Sequence, residues 1–120
     1  MHKCVNKREI NCFLDEFKDI VINGSGLDIV PTPKNKEALI KLKINEKIRE
    51  KYILDLDWKD YFNGPVNDKD KPGVIWEFGI KIKCDVIYIK LKIVKTGKEI
   101  IAKCLSFHIT ESPIIFPYKI

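Results

Sequence analysis

The segments Val86-Ile-Tyr-Ile-Lys-Leu-Lys-Ile93 and Ile100-Ile-Ala-Lys-Cys-Leu-Ser-Phe-His108 decide the fold. In the first, apolar and polar residues alternate without a break. Successive side chains of a strand point to opposite faces. Ile87, Ile89, Leu91 and Ile93 therefore share one face, and Tyr88, Lys90 and Lys92 share the other. Alternation of this kind ordinarily marks a half-buried antiparallel sheet with one solvated face. A wet face with a tyrosine and lysines, beside a strand ending in histidine, also carries the side chains that bind and cleave a phosphodiester.

Between the two segments, Val94-Lys-Thr-Gly-Lys-Glu99 has the composition of a hairpin turn around Gly97. A Thr96-Gly97 loop would set Lys95 opposite Lys98 and Lys90 opposite Lys103, and like charges directly opposite destabilise a strand pair. The three-residue loop Thr96-Gly97-Lys98 instead sets Lys95 opposite Glu99, and Ile93, Ile89 and Ile87 opposite Ile101, Leu105 and Phe107. Hydrophobic pattern fixes register, because a slip of one residue turns every side chain over. The odd-length loop is therefore expected. It gathers Tyr88, Lys90 and Lys92 on one face with Ala102, Cys104, Ser106 and His108. Small residues from the second strand leave a shallow trough, closed by His108 at the end where Tyr88 lies.

At 120 residues, 45% hydrophobic and 32% charged, the chain fits one globular domain over residues 1–120. No apolar run approaches the roughly 20 residues of a membrane helix. The stretch Met1 to Arg8 lacks the apolar core of a secretory signal. A cytoplasmic location without membrane association is expected. The net charge of +5 is compatible with nucleic acid, a weak signal by itself. Cys4, Cys12, Cys84 and Cys104 form no C-x-x-C pair, and His2 and His108 are the only histidines, so no zinc signature arises. Free, buried thiols are expected, with no metal and no cofactor. Cys104 and His108 would lie roughly 13 Å apart along one strand, too far for a thiolate–imidazole pair.

Along the chain, Ile10 to Ile22 carries Ile10, Phe13, Leu14, Phe17, Ile20 and Val21 at helical spacing, ended by Asn23-Gly-Ser-Gly26. Leu27 to Val30 reads as a short extended piece before Pro31-Thr-Pro33. Asn35 reads as an N-cap for a helix over Lys36 to Lys43. Asn45 to Leu54 reads as another, with Ile48, Tyr52 and Ile53 inward. Asp57 to Phe62 is a capped turn of helix, and Asn63 to Gly73 is an exposed loop by its Gly, Pro, Asn and Asp content. Val74 to Phe78 and Ile80 to Lys83 read as strand, and Thr110 to Ile120, with its prolines, as an extended tail. Helices first and an antiparallel sheet second give an α+β fold.

The run from Leu54 to His108 resembles the C-terminal half of the MqsR-type mRNA interferases, toxins of bacterial toxin–antitoxin pairs with a RelE-like fold. The resemblance rests on Leu54-Asp-Leu-Asp-Trp-Lys-Asp-Tyr-Phe62, similar to an L-x-x-x-D-[FY]-[FY] segment. It continues through Trp76 after a polar loop and the Val-Ile-Tyr-Ile-Lys-Leu-Lys-Ile strand to Leu105-Ser-Phe-His108. The tail is most similar to members from low-GC Gram-positive bacteria. The first half of the chain agrees only in layout. The resemblance implies N-terminal helices on a small antiparallel sheet, an RNA substrate, a cognate antitoxin, and active positions near Asn63, Glu77, Tyr88 and His108. Tyr88 and Lys90 match directly. Some members carry lysine at the positions of Asn63 and His108, and glutamine at that of Glu77.

RNA brings its own nucleophile, the 2′-hydroxyl, so cleavage needs a base, a cation for the crowded phosphorane and an acid for the 5′-oxygen. Glu77, Tyr88, Lys90 and His108 form the candidate catalytic set, with Glu77 as base and His108 as acid. In this reading Lys90 stabilises the non-bridging oxygens, and Tyr88 bonds the phosphate or stacks on a base. Asn63, Trp76, Lys92 and Ser106 are the candidate RNA contacts, although an indole at Trp76 suits the core better than a stacking platform. The expected function is a metal-independent endoribonuclease toxin. The alternative is a non-catalytic RNA-binding or protein-interaction module on the same fold.

Overall fold

The computed structural model describes residues 5–119, so His2 and Cys4 fall outside it. Helix α1 (Lys7–Asn23) buries Ile10, Phe13, Leu14, Phe17, Ile20 and Val21, the stripe its spacing predicts. The Asn6 side chain accepts from the Glu9 N–H at its start, and the Gly24 N–H donates to the Ile20 carbonyl at its end. A short strand β1 (Leu27–Ile29) leads to α2 (Pro33–Leu42), α3 (Glu46–Leu54) and a 3-10 turn (Trp58–Asp60) capped by Asp57.

Helix α2 starts earlier than expected. Thr32 is its N-cap and Pro33 takes the first helical position, where the missing N–H is no loss. Asn35 is therefore not a cap; it lies buried in the first turn. In α3, Ile48 is 42% exposed rather than inward, and the buried positions are Arg49 and Ile53.

Four more strands, β2 (Tyr61–Asn67), β3 (Val74–Ile82), β4 (Asp85–Thr96) and β5 (Glu99–Ile109), complete a five-stranded sheet in the order β1-β5-β4-β3-β2. The fold is α+β, as expected. The sheet is mixed rather than wholly antiparallel, because β1 runs parallel to β5. Strand β2 replaces the first part of the expected loop. Its loop-like composition is explained by its place at the sheet edge, where Pro65 leaves no inner ladder bond unmade. Gly64, at φ +106°, is required there: a Cβ would sit 2.6 Å from the Ile75 carbonyl oxygen.

The helices cover one face of the sheet. Phe17 of α1 packs in one core with Phe78, Ile87, Ile89, Leu91 and Phe107, all fully buried. Among the described residues no helix is long and apolar enough to cross a membrane.

The β4–β5 hairpin corrects the expected register. The turn is the two-residue Gly97-Lys98, with Thr96 opposite Glu99. Gly97 has φ +56° at the first central position, as a type II′ turn requires. This register sets Ile93 against Ala102 and Leu91 against Cys104, so Ala102 and Cys104 face the helices rather than the trough. It also sets Lys92 opposite Lys103, a like-charge pair, although not one of the two that argue against a Thr96-Gly97 loop. Acids relieve the repulsion: Lys92 pairs with Asp68 at 2.7 Å and Lys103 with Asp28 at 3.8 Å.

Past Leu91 the register shifts. Lys90 faces Ser106, Tyr88 faces His108, and Leu105 is the extra residue of a β-bulge. Without it, the turn-set register would pair Tyr88 with Phe107 and send His108 to the helical face. The bulge therefore restores the expected grouping of Tyr88, Lys90, Ser106 and His108. Asn35 holds it. Its amide donates to the carbonyls of Val30 and Leu105, at 2.8 and 3.0 Å, and its oxygen accepts from the Phe107 N–H at 2.9 Å. Where the β1 ladder ends, this side chain satisfies the outer edge of β5.

Candidate active site on the open face of the sheet

The face away from the helices carries Asn63 of β2, Glu77 of β3, Tyr88 and Lys90 of β4, and Ser106 and His108 of β5. Glu77 lies opposite Asn63 on one side and Lys90 on the other. Its residue is only 8% exposed. One carboxylate oxygen accepts from the Asn63 amide at 2.5 Å, and the other accepts from the Tyr88 hydroxyl. Burial, then the Glu77 hydrogen bond and charge, push the Tyr88 phenol far above its usual range. Tyr88 thus stays a proton donor across the physiological range. Its hydroxyl is turned to Glu77.

Next to Tyr88 stands His108, with ring centroids 5.7 Å apart. The His108 Nδ1 lies 3.1 Å from the Ile109 carbonyl, which accepts a hydrogen bond from that nitrogen when it carries the proton. The Lys90 ammonium lies 5.5 Å from the Tyr88 ring centroid, and no ion pair holds it among the described residues.

Glu77, Tyr88 and His108 line a cavity of about 360 Å³ whose far wall is the chain beyond β5, Thr110 to Ile114. The expected extended tail is thus part of the site. It can cross the sheet closely because residue 79 is glycine: a Cβ there would meet the Phe116 ring at 2.9 Å. Phe62 was also missed. Its ring lies 5.6 Å from that of Tyr88, making a row of three rings, Phe62, Tyr88 and His108. The signal available was the aromatic pair Tyr61-Phe62 entering a strand, where neighbours must take opposite faces.

Two expected RNA contacts are placed elsewhere. Trp76 lies on the helical face, stacked on Phe13 at 4.8 Å, and is a core residue. Lys92 is on the open face but only 3% exposed, beneath the loop that carries Asp68. The hydrogen bond from Lys92 lowers the Asp68 carboxyl to about 2. A carboxylate depressed on folding stabilises the fold above its unfolded pKa, and that contribution disappears as pH falls through the folded value. Asp68→Asn is expected to be less stable than wild type above about pH 4, with the difference vanishing towards pH 2. Chemical denaturation across that range checks it.

Cys104 is buried, which pushes its thiol up to about 12, and it donates to the Ser106 carbonyl at 3.3 Å. It is no nucleophile. Cys12 and Cys84 are exposed free thiols, against the expectation of burial. Among the described residues no cluster of three or more His, Cys, Asp and Glu could hold a metal ion. Compared with family models, with curated proteins and with solved structures, the chain matches none.

Proposed function

We propose that the chain is a metal-independent endoribonuclease, a toxin of the RelE-like, MqsR-type class acting in the cytoplasm and held inactive by a cognate antitoxin. The observation that carries this reading is the meeting of Glu77, Tyr88 and His108 at one cavity, with Lys90 beside it. Glu77 takes the proton of the 2′-hydroxyl as it attacks the adjacent phosphorus. Lys90 meets the non-bridging oxygens as charge builds on them. His108 delivers a proton from Nε2 to the departing 5′-oxygen, with Nδ1 anchored on the Ile109 carbonyl. Tyr88 and Asn63 orient Glu77, and the rings of Phe62 and Tyr88 offer stacking surfaces to unpaired bases. Ser106, opposite Lys90, stays in the trough as a phosphate contact.

One observation favours the alternative, a binding module without catalysis: both Glu77 oxygens already have partners inside the protein. Growth separates the two readings. Inducing the wild-type chain in a bacterium is expected to arrest growth, and His108→Ala to relieve the arrest while accumulating as folded protein. Equal toxicity of the variant removes His108 from the chemistry, and a harmless wild type sinks the toxin assignment. A neighbouring reading frame with C-x-x-C pairs and a helix-turn-helix would favour the toxin.

A further inference from the structure

On the other side of the sheet, Arg49 occupies an inward position of α3 and is only 6% exposed. Its Nε–H is buried without a hydrogen-bond partner, and Nη1 reaches the Asn35 carbonyl only at 3.5 Å. No ion pair forms to it among the described residues. A guanidinium presents its N–H donors as a planar fork that matches a carboxylate. A buried charge without a partner is costly, so this group calls for an acceptor.

Arg49 lines a cavity of about 310 Å³ between β1, α2 and α3, at the small end of the roughly 300–1,000 Å³ typical of small-molecule sites. Leu27, Ile29 and Leu39 give it apolar walls, and Glu46, Glu50 and Lys36 border it. The two glutamates, at i−3 and i+1 of Arg49, line the same cavity and would repel a dianion. A single carboxylate is the head group that answers Arg49 without crowding them.

We infer that this cavity binds a small molecule with one carboxylate head and an aliphatic body, the carboxylate on Arg49 and the body against Leu27, Ile29 and Leu39. The inference is independent of the proposed nuclease activity. The test is calorimetric titration of the full chain with 4-methylpentanoate and with L-leucine, which has the same skeleton plus an α-ammonium. Saturable binding is expected. Arg49→Met should weaken it roughly tenfold or more, the scale of one charge-assisted hydrogen bond. Leu39→Trp fills the cavity from a partly exposed wall without touching Arg49, and should abolish binding in a protein with an unchanged melting profile. Tighter binding of leucine, lost in Glu46→Gln with Glu50→Gln, supports the site and names amino acids as its source. Tighter binding of 4-methylpentanoate supports it and names free organic acids. No saturable heat with either probe, or binding that survives both variants, overturns the site.

Discussion

Truncating Ile89 to alanine is expected to destabilise the protein by about 2–5 kcal/mol, the range for deleting a large aliphatic side chain from a packed core. Ile89 is fully buried and lies between Phe78 and Phe107 on the neighbouring strands. The adjacent substitution, Lys90→Ala, should cost no more than about 0.5 kcal/mol, because Lys90 is partly exposed and held by no ion pair among the described residues. Urea denaturation of both variants measures the contrast. RNA cleavage should respond in the opposite order, falling sharply for Lys90→Ala. Unfolding by Lys90→Ala with a silent Ile89→Ala would mean that the two faces are assigned backwards.

His108→Ala is expected to slow RNA cleavage by about 10²–10⁴-fold, the contribution of a positioned general acid. Glu77→Gln should lose a comparable factor while keeping a group of the same shape between Asn63 and Tyr88. Both losses should appear at saturating RNA, because neither side chain is the main source of affinity. A variant that loses RNA affinity but turns over bound RNA at the wild-type rate would make its residue a binding contact. Circular dichroism of each variant checks that the fold survives.

Much of this architecture is legible in the residues themselves. The α1 stripe from Ile10 to Val21 is buried as its spacing predicts, since helical period and burial are one constraint. The alternation in Val86–Ile93 places Ile87, Ile89 and Leu91 in the core and Tyr88 and Lys90 on the open face. What was hidden required partners distant in sequence. The bulge at Leu105 depends on Asn35, some 70 residues earlier, and no local pattern announces it. The turn at Gly97-Lys98 sets Lys92 opposite Lys103, a pairing made tolerable by Asp68 and Asp28, which come from other elements. Strand β2 looked like a loop because its Gly and Pro suit an edge. For the site, side-chain type pointed to Glu77, Tyr88, Lys90 and His108. Phe62 is legible in the Tyr61-Phe62 pair, whereas the Thr110–Ile114 wall depends on the tail crossing the sheet over Gly79.

In the proposed reaction, side chains on the open face perform the transesterification of RNA without a metal. The most direct test is to incubate the purified protein with single-stranded RNA in excess EDTA and identify the ends of the products. Cleavage leaving 2′,3′-cyclic phosphate and 5′-hydroxyl termini, lost in His108→Ala, is the predicted result. Products ending in 3′-hydroxyl, strict dependence on an added divalent ion, or no cleavage of RNA that the protein binds would contradict it.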